Sequence, residues 1–234
     1  MAGSSPRRSR ALHVPLGRAD YGWTLDLQRT LHARRRDGAI ADVVLTVEHN
    51  PVITFGRSGS RDHLLATPGE LRRDGIELYD IERGGDVTYH GPGQLVVYPI
   101  VDLRDHGRDI KRFIAGLEAV TIGTLNQLGI DAARRDGLPG VWAGDRKIAS
   151  IGVYVRGWVT RHGLALNVAV NPSHFAMIRP CGLQVRTVSI VELLGRTVPL
   201  ERVRDRFVDG LGAEFGWDLD PVDLADVLGA EAVE

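Results

Sequence analysis

The sequence predicts a single α+β domain, and three observations predict it. The chain has 234 residues, 43% hydrophobic and 25% charged, which suits one large globular domain or one with a small appendage. Two stretches, Asp20 to about Arg36 and Asp109 to Gly129, carry apolar residues at helical spacing, each behind an aspartate suited to capping. Around them lie short runs such as DVVLTVEH, LVVYPIV and KIASIGVYV, rich in β-branched residues and bounded by glycine, proline and aspartate.

Taken in order, Asp20 opens the first helix, and Trp23, Leu27 and Leu31 mark one of its faces. A strand follows from Asp42 to His49, then Pro51 and a long polar loop from Gly56 to Gly75. A short strand at Ile76 to Ile81 leads into a glycine-rich segment whose second half, LVVYPIV, is apolar enough for a buried strand. Ile110, Phe113, Ile114, Leu117, Val120, Leu125 and Leu128 give the next helix its period before Gly129 stops it. Gly140 to Trp142 and Lys147 to Val155 form a hairpin about the turn Ala143-Gly144-Asp145-Arg146. After Gly157 the run WVTRHGLALNVAV is a strand with His162, Leu164, Leu166 and Val168 on one face and Gly163, Ala165 and Asn167 on the other. Ser189, with Glu192 three residues on, caps a short helix, and an amphipathic helix covers about Leu200 to Phe215. Residues 1–10 are expected to be flexible, and the tail 217–234 to hold one short turn or helix.

No apolar run approaches the ~20 residues of a membrane helix, and no apolar stretch follows the N-terminal arginines to make a signal peptide. A cytoplasmic protein is expected, with no membrane association. The formal net charge of −1 gives no global pull toward nucleic acid. Cys181 is the only cysteine, which excludes an intramolecular disulfide and a cysteine-based zinc site. Of 29 basic residues 27 are arginine, leaving Lys111 in the first turn of a helix and Lys147 in the hairpin. Lysine, unlike arginine, can give up its proton when desolvated, so Lys147 draws attention.

The densest concentration of special residues is RGGDVTYHGPGQLVVYP, Arg83 to Pro99. Gly84, Gly85, Gly91 and Gly93 permit positive φ or close approach to a ligand, and Arg83 and His90 place polar heads at either end. Such a segment reads as a loop built around a substrate, with Arg83 equally suited to anchoring that loop.

RGGDVTYHGPGQLVVYP, GVWAGDRKIASIGV, HGLALNV and RPCG, in this order and spacing, resemble the octanoyl-acyl-carrier-protein:protein octanoyltransferases. The resemblance spans about Val43 to Leu194. It implies a mixed sheet flanked by helices, similar to the catalytic domain of the lipoate and biotin protein ligases, with a catalytic domain over 11–216. It implies transfer of an octanoyl group from octanoyl-acyl carrier protein to one lysine of a lipoyl domain, in 2-oxoacid dehydrogenase E2 subunits or the glycine cleavage H protein. No cofactor and no metal is implied, and the family leads one to expect a monomer. The family's nucleophile position is Cys181 and its partner position Lys147. Arg83, Gly84, Gly85, Asp86, Val87, Thr88, Tyr89 and His90, with Ser150, Ile151, Gly152, Gly163, Leu164 and Ala165, would line the acyl channel.

That assignment is chemically coherent. A free thiol is only a few per cent ionised near neutral pH, and a nearby cation favours the thiolate. Lys147 can supply the charge and take the proton, and the final amide is more stable than the thioester it replaces, so no ATP is needed. Basic docking residues for an acidic carrier would include Arg72, Arg73, Arg156 and Arg161. An ATP-dependent lipoate ligase would share much of the RGG segment but has no need of a thiolate. A biotin ligase lacks support because no GRGRxG loop is present, and a non-catalytic acyl or lipoyl-domain binder would not need Cys181 and Lys147 together.

Overall fold

The computed structural model describes residues 9–179 and 186–229. Eleven strands and seven helices are placed among them. The strands are β1 (Ser9–Ala19), β2 (Asp42–His49), β3 (Val52–Phe55), β4 (Glu77–Asp80), β5 (Val87–His90), β6 (Gln94–Ile100), β7 (Ala133–Arg135), β8 (Leu138–Ala143), β9 (Arg146–Arg156), β10 (Val159–Asn167) and β11 (Trp217–Pro221). The helices are α1 (Tyr21–Arg36), α2 (Pro68–Arg73), α3 (Ile110–Asn126), α4 (Pro172–Phe175), α5 (Ile190–Leu194), α6 (Leu200–Phe215) and α7 (Leu224–Leu228). Eight strands form one sheet in the order β11-β1-β2-β6-β10-β9-β8-β7, and β4-β3-β5 form a smaller one. The large sheet is mixed, since β1 runs parallel to β2 and β11 while the pairs from β2 to β7 are antiparallel.

The large sheet is covered on both faces, which explains why its central strands read as continuous apolar runs. Val44 of β2 and Leu95 and Val97 of β6 join a core with Phe113 and Leu117 of α3 and Phe207 and Leu211 of α6. Their neighbours Val43, Leu45, Val96 and Ile100 pack instead with Leu27 and Leu31 of α1. The strand period of two thus sends alternate residues to opposite helical layers. The small sheet has its own core, in which Ile53, Phe55 and Val87 meet Leu71 of α2 and Phe175 of α4.

Caps set the helix starts where the sequence places them. The Asp20 carboxylate accepts from the Trp23 N–H, that of Asp109 from the Arg112 N–H, and the Ser189 hydroxyl from the Glu192 N–H. The long loop expected from Gly56 to Gly75 contains a 3-10 turn at Arg61–His63 and α2, whose start carries Pro68 and a full Thr67–Glu70 capping box. Strands β1, β3, β5, β7 and β11 go beyond the elements expected from sequence. Among the described residues, no helix is long and apolar enough to cross a membrane.

Candidate functional site

A cavity of about 320 Å³ opens between the two sheets' components and the hairpin, within the roughly 300–1,000 Å³ range of small-molecule sites. Its wall is built from β9 and β10, paired so that Ser150 faces Ala165, Ile151 faces Leu164 and Gly152 faces Gly163. All six line the cavity. The two glycines of this wall let other backbone pass close. A Cβ on Gly163 would stand 2.3 Å from the Val97 carbonyl oxygen, and one on Gly152 would stand 2.8 Å from that of Gly84. Both glycines permit backbone segments to touch at the cavity wall.

The RGG loop is held against this wall. Gly84 donates its N–H to Val153 O at 3.0 Å, and the buried Arg83 guanidinium donates to Thr54 O at 2.8 Å, Thr54 Oγ1 at 3.0 Å and Gly84 O at 3.0 Å. Arg83 therefore anchors the loop and also lines the cavity. Asp86 faces His63 Nδ1 at 2.6 Å and accepts from the Ser60 N–H at 3.3 Å. Gly84, Gly85, Asp86, Val87, Thr88 and His90 line the cavity; Tyr89 does not. Its ring packs edge-on against His174 and Phe175, and its hydroxyl lies 2.7 Å from His174 Nδ1. Gly91 allows this, because a Cβ there would stand 1.9 Å from the tyrosine oxygen.

Tyr21, His90, Tyr98 and His162 add a polar section of lining that carries no charge at neutral pH. Burial lowers His90 to about 3, with lesser contributions from His49 and Arg83, and lowers His162 to about 3, with help from Arg161 and Arg83. Burial likewise holds Tyr21 and Tyr98 above their ordinary range and lowers His49 to about 4. Hydrogen bonds assign the tautomers. Gln94 Nε2 donates to Tyr89 O and Asn167 Oδ1, so its Oε1 accepts from His90 Nδ1 at 2.7 Å. His49 Nδ1 donates to Ala19 O, leaving Nε2 to accept from the Tyr98 hydroxyl at 2.8 Å. His90 is thus a neutral group in the cavity wall. Asn167 stands behind the cavity, where its Nδ2 donates to Val188 O.

Lys147 lines the cavity together with Thr187 and Pro139. Its backbone N–H donates to Arg186 O at 2.8 Å and its carbonyl accepts from the Val188 N–H at 3.0 Å, so residues 186–188 run alongside it as a parallel bridge. Its ammonium lies 5.5 Å from the centre of the Trp142 ring, and its stem passes over Gly140. Cys181 lies outside the described residues. Ile114, Val96, Val153 and Phe175 also line the cavity; in the sequence they are indistinguishable from core residues. Tyr21, beside the Asp20 cap, and Tyr98, inside LVVYPIV, carried no separate signal. Of the arginines suggested for docking, Arg72, Arg73 and Arg156 are exposed. Arg161 is not: it is 5% exposed, donates to Glu82 Oε1 at 3.1 Å and stacks on Tyr154, so it belongs to the interior. Among the described residues, no group of three or more His, Cys, Asp or Glu is arranged to hold a metal ion.

Comparison with known proteins gives a consistent picture. A family model described as the lipoyl protein ligase A/B catalytic domain matches residues 20–212. An octanoyltransferase from Solibacter usitatus is 48% identical over 206 residues, covering 88% of this chain and 93% of the relative. One from Caldicellulosiruptor bescii is 45% identical over 219 residues, covering 92% and 93%. Among solved structures, lipoate-protein ligase A bound with ATP is similar with a TM-score of 0.69 at 16% identity, covering 93% of this chain and 90% of that one. A bi-partite lipoate protein ligase from Thermoplasma acidophilum is similar with a TM-score of 0.69 at 16% identity, covering 92% and 88%. At such identity these two likenesses speak for the fold, a mixed sheet flanked by helices.

Proposed function

Since the chain belongs to the octanoyltransferases, acyltransferases within the lipoyl protein ligase A/B catalytic-domain family, we propose that it moves an octanoyl group from acyl carrier protein to a lysine of a lipoyl domain through an acyl-Cys181 thioester. The observation that carries this reading is that the mainly apolar cavity reaches Lys147, and that residues 186–188, five positions and more beyond Cys181, pair with the backbone of that same lysine.

In the first step the Cys181 proton passes to Lys147 and the sulfur attacks the carbonyl carbon of the donor thioester. A new C–S bond forms, the donor's C–S bond breaks, and Lys147 returns the proton to the departing carrier thiol. One thioester replaces another, so the step is close to balanced. In the second step the acceptor amine attacks, a C–N bond forms, the bond to Cys181 breaks, and the amine's proton passes by way of Lys147 to the Cys181 sulfur. The amide product draws the sequence forward without ATP. The octanoyl chain occupies the space beside Ser150, Ile151, Leu164 and Ala165, and the uncharged His90 and His162 allow an apolar chain to enter without meeting an unpaired charge.

Incubation with octanoyl-acyl carrier protein in the absence of ATP, followed by intact mass measurement, tests the reading. The expected result is an added octanoyl mass that is removed by hydroxylamine and is absent from Cys181→Ala. An adduct that persists in Cys181→Ala, or transfer that depends on ATP, would remove the covalent cysteine mechanism.

A further inference from the structure

Glu118 is a buried carboxylate on α3, one turn beyond the cavity-lining Ile114, and the mechanism above makes no use of it. Its two oxygens do different work. Oε2 accepts from Arg134 Nε at 2.8 Å, and Arg134 also donates to Ala115 O at 2.6 Å, which closes a tie between α3 and β7. Oε1 accepts from the backbone N–H of Gly140 at 3.2 Å. Gly140 is the residue beneath Lys147: a Cβ on it would lie 2.7 Å from Lys147 Cε and 3.3 Å from Nζ. Its φ of +113° is a conformation that other residues adopt only under strain.

We propose that Glu118 is a positioning residue for Lys147, acting through the Gly140 N–H. A backbone with positive φ keeps its shape only where its surroundings over-determine it. Here the carboxylate fixes the amide from behind while Pro139, the residue before it, faces the cavity. Arg134 balances the charge and aims the carboxylate, so that the free oxygen points at the amide. The Lys147 stem then rests on a floor of fixed height, with the Trp142 ring beside the ammonium. Reach decides this role, and net charge does not. Glutamine keeps one acceptor at the same distance for the Gly140 N–H and gives up the Arg134 bond, the half-exposed Arg134 turning to solvent, whereas aspartate keeps the charge and withdraws both acceptors by one methylene. The inference rests on the reading of Lys147 as the working base, but its first readout does not need catalysis.

The chain's two lysines make the experiment direct. In a Lys111→Arg background Lys147 is the sole lysine, so labelling with ¹³C,¹⁵N-lysine gives one side-chain signal. With Glu118→Gln that signal and the transfer rate are expected to stay close to those of the parent. With Glu118→Asp the signal is expected to move, and kcat with octanoyl-acyl carrier protein to fall roughly 10- to 100-fold with KM held, as for a small misplacement of a working group. A Glu118→Asp protein with an unmoved Lys147 signal, or a Glu118→Gln protein as impaired as Glu118→Asp, overturns the inference. Full activity in Lys147→Ala would instead remove the base assignment, while the lysine signal would still decide what Glu118 does.

Discussion

At the scale of single residues, burial sets the protonation of the histidines in and beside the cavity, and this has a consequence for stability. His49 is lowered to about 4, and His90 and His162 to about 3, with desolvation the leading cause in each. Above the ordinary imidazole range, near pH 6.5, both folded and unfolded chains carry these rings neutral, so they contribute no pH dependence there. As pH falls below that value the unfolded chain binds protons that the folded chain refuses, and stability declines until the folded values near 3 to 4 are passed. Each ring adds a slope of about 1.4 kcal/mol per pH unit over that window. Urea unfolding at pH 7.5, 6.5, 5.5 and 5.0 should therefore give stability that is level at the top and declines below 6.5, with His90→Gln reducing the slope by about one proton. Stability unchanged from pH 7 to pH 5 would refute the burial account. The same rings should leave no inflection in the rate profile between pH 7 and 9.

At the scale of elements, β9 and β10 wall the cavity with glycines that let other backbone come close, and their two contacts should separate by experiment. Gly163→Ala places a methyl against the Val97 carbonyl and Pro99, inside the pairing of β10 with β6. It should lower the urea midpoint, with a cost of about 1–3 kcal/mol for forced overpacking. Gly152→Ala meets Gly84 O and Arg83 Cδ, which belong to the loop. It should leave stability less affected and reduce kcat/KM roughly 10- to 100-fold by lifting the RGG segment. Equal stability loss in the two variants would contradict this division. Much of the element plan was readable beforehand: Asp20, Asp109 and Ser189 announce their helices through capping chemistry, and the β10 alternation puts Gly163 and Ala165 together on one face. The strands β3 and β5 are only four residues each and sit among glycines and prolines, so local pattern could not single them out. The turn of Tyr89 away from the cavity depends on His174 and Phe175, more than eighty residues away, and no local signal carries that. Arg161 likewise looks like a surface cation until Glu82 and Tyr154 close over it.

At the scale of the whole molecule, the first and last described strands belong to the large sheet, β1 starting within residues 1–10, expected to be flexible, and β11 lying within 217–234, expected to be a tail. In β1, Pro15 and Gly17 interrupt the alternation, and the register shifts between them. In β11, WDLDP shows one buried residue, Trp217, among partly or fully exposed ones. Pairing supplies what composition does not: β11 runs parallel to β1 from Ser9↔Trp217 to His13↔Pro221, and Ser9 donates its N–H to Gly216 O at 3.0 Å. Trp217 is 1% exposed, stacks on Phe215 with ring centres 4.6 Å apart and meets the edge of His106. His106 in turn contacts Asp42, which holds Arg35 at the end of α1, so the terminal strand closes a chain of contacts reaching the opposite helical layer. A chain ending at Gly216 would lose β11 and α7 and bare the edge of β1. Trp217→Ala should cost about 3–5 kcal/mol, as for other buried tryptophans. At the roughly 2–4 °C per kcal/mol usual for domains of this size, that lowers the melting temperature by on the order of 10 °C, and truncation after Gly216 should lower it further. If the truncated chain melts within a degree or two of the full protein, β11 is dispensable and the domain does end at residue 216. If it melts as far below as Trp217→Ala or further, the last strand is part of the folding unit that carries the cavity.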